Sequence, residues 1–69
     1  MKLSARNQLK GTVKAINEGV VNCEVLIELS GGAVITSIIT KSAVANLGLK
    51  AGSAAYAVIK ASNVLVGVD

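Results

Sequence analysis

Histidine is absent from this chain of 69 residues, and its only carboxylate side chains are Glu18, Glu24, Glu28 and Asp69. No His-containing catalytic triad, His/Cys metal cluster or convincing pair of catalytic carboxylates can be assembled within one chain. Enzymatic function is not expected. Glu24 and Glu28 share one face of an expected strand, where they read as a solvated edge. Aromatics are scarce as well, Tyr56 standing without any Phe or Trp. A surface that holds single-stranded nucleic acid by stacking bases on rings is therefore unsupported. Cysteine occurs once, as Cys23, so no disulfide can close within the chain and the composition of a secreted scaffold is missing. The longest charge-free run, Leu29 to Thr40, is too short for a membrane helix of roughly 20 apolar residues, and Gly31-Gly32 interrupts it. The opening Met1-Lys2-Leu3-Ser4-Ala5-Arg6 is not followed by a signal-peptide type of apolar stretch, which makes the cytoplasm the expected compartment.

What the chain does have is apolar side chains in surplus. Hydrophobic residues make up 52% of it, with a mean hydropathy of +0.64. A single domain of this size, residues 1–69, buries only about 60% of the surface its unfolded chain exposes, so one small core cannot hide them all. With no disulfide and no metal to staple the fold, burial between subunits is the remaining means of stabilisation. The net charge of +3 favours anionic partners without naming one.

Periodicity sets out the elements. Leu9 to Ile16 alternates apolar or small residues (Leu9, Gly11, Val13, Ala15) with Gln8, Lys10, Thr12 and Lys14, the signature of a half-buried strand. Lys2, Arg6, Lys10 and Lys14 also recur every four residues, but Gly11, Thr12 and Val13 are weak helix formers and no apolar stripe runs opposite. Asn17-Glu18-Gly19 supplies a turn. From Val20 to Leu29 the odd positions are Val21, Cys23, Val25, Ile27 and Leu29, which puts Cys23 on the apolar phase as a small buried hydrophobe. After a turn at Ser30-Gly31-Gly32, the β-branched stretch Ala33 to Ile39 is a third strand. Thr40 can cap a short helix over Lys41 to Leu47, with Val44 and Leu47 on one face and Gly48 as its stop. Ala55 to Lys60 and Val64 to Val68 are the fourth and fifth strands, separated by a corner at Ser62-Asn63. The expected fold is all-β with one short helix, a five-stranded OB-fold-like Greek-key barrel, with a generic SH3-like barrel as the competing architecture.

Two polar patches remain. In Ser4-Ala5-Arg6-Asn7 and Lys60-Ala61-Ser62 a hydroxyl and a cation stand two residues apart, on one face of an extended chain. Neither has a carboxylate nearby in sequence. A tetrahedral dianion such as molybdate, tungstate or sulfate carries no proton at neutral pH and presents only acceptors, so donors alone make its ideal shell. Backbone N–H groups at the Gly19-Val20-Val21 turn could complete that shell. Phosphate, partly protonated, also wants an acceptor and should be disfavoured. The plain alternative is that Arg6 and Lys60 are solvated charges and Ser4 and Ser62 are strand-end hydroxyls.

The string Ser4-Ala5-Arg6-Asn7-Gln8-Leu9-Lys10-Gly11, with Gly19-Val20-Val21, Gly32, Ile35-Thr36-Ser37-Ile38-Ile39 and Ala57-Val58-Ile59-Lys60, resembles the molbindins. These are stand-alone molybdenum-pterin-binding (Mop) proteins, and the likeness spans essentially the whole chain. It implies an OB-like fold assembled as a hexamer, a trimer of dimers, that binds molybdate or tungstate at subunit interfaces for intracellular storage and molybdenum homeostasis. One class of family site carries over to Ser4, Arg6, Lys60 and Ser62, with Val20 and Val21 of a neighbouring subunit as backbone donors. A second class carries over to Ala5, Asn7 and Ser37. Lys41 to Asn46 lacks the carboxylates of more acidic relatives, which raises the charge without altering the donor set. Within the family a molybdopterin is the alternative ligand, but a pterin ring would need an aromatic or amide-lined slot that this chain hardly offers. From another class, a nucleic-acid-binding OB module is the alternative. On this reading the two end patches converge on one face of the barrel and form half a site until a second subunit adds its turn.

Overall fold

The computed structural model describes residues 1–69. Its elements are β1 (Asn7–Glu18), β2 (Asn22–Leu29), β3 (Val34–Thr40), α1 (Lys41–Leu47), β4 (Ala54–Ile59) and a 3-10 turn over Ala61–Asn63. The strands form one antiparallel sheet in the order β3-β2-β1-β4. Three consecutive strands with a fourth returning beside the first is a Greek key.

β1 organises the sheet because it is long enough to pair on both sides. Its first half lies against β4, Asn7 opposite Ile59 and Thr12 opposite Ala54. Its second half lies against β2, Gly11 opposite Leu29 and Glu18 opposite Cys23. The overlap falls at Gly11, where a Cβ would come within 2.5 Å of the Glu28 carbonyl oxygen and 2.8 Å of Ile27 Cγ2. Only glycine lets the backbones approach so closely. Just beyond, the register slips between Val13 and Ala15, a bulge that leaves Lys14 unmatched and curls the strand. The slip reverses the alternation. Val13 points into the core opposite Ile27, whereas past Lys14 it is Ile16, opposite Val25, that packs there.

The core is small: Val13, Val25, Ile27 and Ala57, with the buried thiol Cys23 beside it. Cys23, Val25 and Ile27 hold the odd phase of β2 while Glu24 and Glu28 face outward, as the alternation requires. At the end of β3, Thr40 caps α1 by accepting from the Ala43 N–H at 3.1 Å. Gly48 closes the helix in the left-handed conformation, φ 62°, and the Leu49 N–H reaches back to the Val44 carbonyl. The return of the chain at Gly48 makes Val44 and Leu49 the residues that cover the core; Leu47, expected to share that face, is exposed. No helix is long and apolar enough to cross a membrane.

The expected fifth strand does not form. Val64 to Val68 belongs to no strand, although Val64 has an extended backbone. Leu65, Val66 and Val68 are 92%, 91% and 94% exposed. β-branched composition favours extension, but a strand exists only where a ladder partner is within reach. The 3-10 turn at Ala61–Asn63 separates the tail from β4, and none of the four strands pairs with it. The sheet therefore has four strands, curled by β1, in place of the five-stranded barrel.

Candidate functional site

The register that joins β1 to β4 also joins the two polar patches. Because Asn7 pairs with Ile59 in antiparallel sense, Ser4-Ala5-Arg6 enters the sheet beside the point where Lys60-Ala61-Ser62 leaves it. Together these six residues line a shallow recess of about 410 Å³. All are exposed except the half-buried Ala5. Four of the six residues expected in the first oxyanion site, Ser4, Arg6, Lys60 and Ser62, thus meet within one chain. None of the side-chain hydrogen bonds within the chain engages the Arg6 guanidinium, the Lys60 ammonium or either serine hydroxyl. The recess presents cations and hydroxyl donors, and no carboxylate lines it. Its chemistry is that of a receptor for a small anion rich in acceptors.

The other two expected residues lie elsewhere. Val20 and Val21 form the turn between β1 and β2, at the opposite end of β1 from the recess. All twelve residues of β1, bulged and curled, lie between the two ends, and the recess and the hollow beside the turn share no lining residue. Within one chain the turn and the recess are separate. At the turn, Gly19 donates to the Asn22 carbonyl at 2.8 Å and the Val21 carbonyl accepts from Lys41, but the Val20 and Val21 N–H groups have no partner in the chain. Val20 is 93% exposed. Two adjacent amide donors are thus presented outward, beside a second hollow lined by Asn17, Glu18, Gly19, Asn22, Cys23, Glu24 and Ile38.

The residues expected in the second site are also dispersed. Ala5 belongs to the recess and Asn7 adjoins it. Ser37 is on β3 opposite Val25, which in turn faces Ile16, so Asn7 lies roughly 30 Å of strand path away along β1. Within one chain they do not meet. Ala61, in the middle of the Lys60-Ala61-Ser62 patch, lines the recess with its neighbours. One contributor was not anticipated: Gln8 donates through Nε2 to the Ala5 carbonyl at 2.9 Å. The only sequence signal for Gln8 was an amide three residues past Ala5.

Comparison with known proteins follows the same lines. Residues 3–66 match the TOBE domain family. The chain is 52% identical over 69 residues to a probable molybdenum-pterin-binding protein of Haemophilus influenzae, covering the whole of both. Its structure superposes on MopII from Clostridium pasteurianum with a TM-score of 0.91 at 46% identity, covering 97% of this chain and 100% of that one. It also superposes on ModG, described as a cytoplasmic molybdate-binding protein and solved with molybdate bound, with a TM-score of 0.96 at 62% identity. There the match covers this whole chain and 49% of the other, so the chain spans about half of ModG.

Proposed function

The chain belongs to the TOBE domain family and is one of its molybdenum-pterin-binding (Mop) proteins, and from that premise we propose that it binds molybdate or tungstate at interfaces between copies of itself. The observation that carries this reading is the recess formed by Ser4, Arg6, Lys60 and Ser62, whose donors are unengaged and unaccompanied by carboxylate. The guanidinium and the ammonium offset the dianion's charge, and the hydroxyls turn to donate. No acceptor is needed, so partly protonated phosphate loses in the comparison. The unpaired N–H groups of Val20 and Val21, set apart from their own recess, are suited to close the shell from a second copy. The second group, Ala5, Asn7 and Ser37, makes a further anion site only across copies. A bare oxyanion suits the recess better than a molybdopterin, since no aromatic ring lines it. Nucleic acid is disfavoured by Tyr56 being the single aromatic.

We assign the protein a binding role without catalysis: storage of the oxyanion and molybdenum homeostasis in the cytoplasm, carried out by a homo-oligomer, a hexamer built as a trimer of dimers. The exposed tail from Leu65 to Val68 supports assembly, because apolar surface of this kind is stabilised by burial. Titration calorimetry in phosphate-free buffer, paired with native mass spectrometry, tests both halves of the proposal. Molybdate and tungstate should give heat, phosphate should give little, and the binding species should be oligomeric. Absence of heat with molybdate would sink the ligand assignment, and a tightly binding monomer would sink the interface.

A further inference from the structure

Ser4, Ala5 and Arg6 precede the first ladder residue, and none of their N–H groups donates to the chain. A recess built on such a segment would have one loose wall. Two consecutive side-chain amides hold it. Asn7, half-buried, donates through Nδ2 to the Ile59 carbonyl at 3.2 Å, joining positions 52 residues apart. Asn7 directly follows Arg6 and Ile59 directly precedes Lys60; the two already face each other at the end rung of the β1–β4 ladder, and this side-chain bond reinforces that rung beneath both cations. Gln8 reaches back from the next position and fixes the Ala5 carbonyl at 2.9 Å. Asn7 therefore adds a side-chain clasp at the rung that joins the two walls, and Gln8 stiffens only the N-terminal wall.

We propose that Asn7 and Gln8 are positioning residues of the oxyanion site, holding Arg6 and Lys60 at a fixed separation before any anion arrives. The inference rests on the reading of the recess as that site. Its physical benefit is preorganisation: an anion that finds its donors already placed spends less of its binding free energy on ordering them. The clasp occupies one of the two N–H bonds of the Asn7 amide. Oδ1 and the other N–H stay available, so the role is compatible with a contact from Asn7 to a second anion.

The two amides differ in reach, and that difference supplies the test. Backbone 15N order parameters are measured on the ligand-free wild type, Asn7→Ala and Gln8→Ala, together with molybdate titrations of each. In Asn7→Ala the backbone rung remains, so the amides of Ala5, Arg6, Lys60 and Ser62 should all lose order from the rigid level near about 0.85 without reaching the flexible range below about 0.6, with Val13 and Val25 unchanged. In Gln8→Ala only Ala5 and Arg6 should do so. The molybdate Kd should rise about three- to tenfold in Asn7→Ala, the loss expected of one hydrogen bond, and less in Gln8→Ala. Unchanged order at Arg6 and Lys60 in Asn7→Ala would overturn the clasp, as would loosening that extends equally to Val13 and Val25. Loosened walls with wild-type affinity would overturn its role in binding. A wild type that takes up no molybdate fails the ligand assignment, and the order parameters then still decide whether Asn7 reinforces the rung between the two walls.

Discussion

At the start of β1 the molecule presents Arg6 and Lys60 with two serine hydroxyls; at its end it presents the bare amides of Val20 and Val21 flanked by Glu18 and Glu24. The two ends differ in charge. The first has two cations and side-chain donors but no carboxylate, and the second has unpaired backbone donors beside two carboxylates, with Lys41 bonded through its backbone to Val21. Within one copy the two stay separate, with the whole of β1 between them. Two acidic side chains are also kept at the end where they do not neutralise the cations of their own chain.

The comparison can be broken most completely at β1 itself. Gly11→Ala forces a methyl group against the Glu28 carbonyl, between strands that are paired on both sides. Overpacking of this kind costs about 1–3 kcal/mol, a large share of the stability of so small a domain. Denaturant unfolding should show the loss, and molybdate binding should fail with it; wild-type stability would mean that β1 does not fix the two ends. Next in size is Arg6→Ala, which removes the permanent charge from the first end and should weaken molybdate binding about 10- to 100-fold by calorimetry. Val20→Pro then probes the second end alone. It deletes one N–H that has no partner in the chain, and Gly19 before it has no Cβ to clash with the ring. Binding should weaken about tenfold with the fold intact by circular dichroism, and unchanged binding would remove the turn from the site. The smallest effect belongs to Lys10→Ala. Lys10 is exposed, pairs across from Tyr56 and stands outside the recess, so at physiological salt its removal should change Kd less than about twofold. Equal losses for Arg6→Ala and Lys10→Ala would mean that bulk charge attracts the anion.

Most of this arrangement was legible in the sequence where local chemistry decides it. The odd phase of β2, the Thr40 cap, the Gly48 stop and the two donor patches all depend on residues close in sequence, and all appear in the fold. What was not legible depends on distant partners. Val64 to Val68 has the composition of a strand, yet a strand is a relation between two segments, and the chain supplies only one of them. The bulge at Lys14 is likewise a matter of register with β2, and it turns Ile16 inward where simple alternation pointed to Ala15. Leu49 replaces Leu47 over the core because of the direction in which Gly48 sends the chain. The Asn7 link to Ile59 joins opposite ends of the sequence, so no spacing rule could announce it. Convergence of the Ser4–Arg6 and Lys60–Ser62 patches was the exception: a long-range contact that the shared donor chemistry did suggest.

The uncovered tail has a consequence for how capacity would respond to supply of the protein. If Leu65 to Val68 find cover only on another copy, and the recess is completed only by another copy's turn, both requirements follow the law of mass action. Uptake of anion would then climb more steeply than in proportion to the amount of chain present. Sparse copies would hold almost nothing, and a modest rise in synthesis would bring a disproportionate gain in sequestered oxyanion.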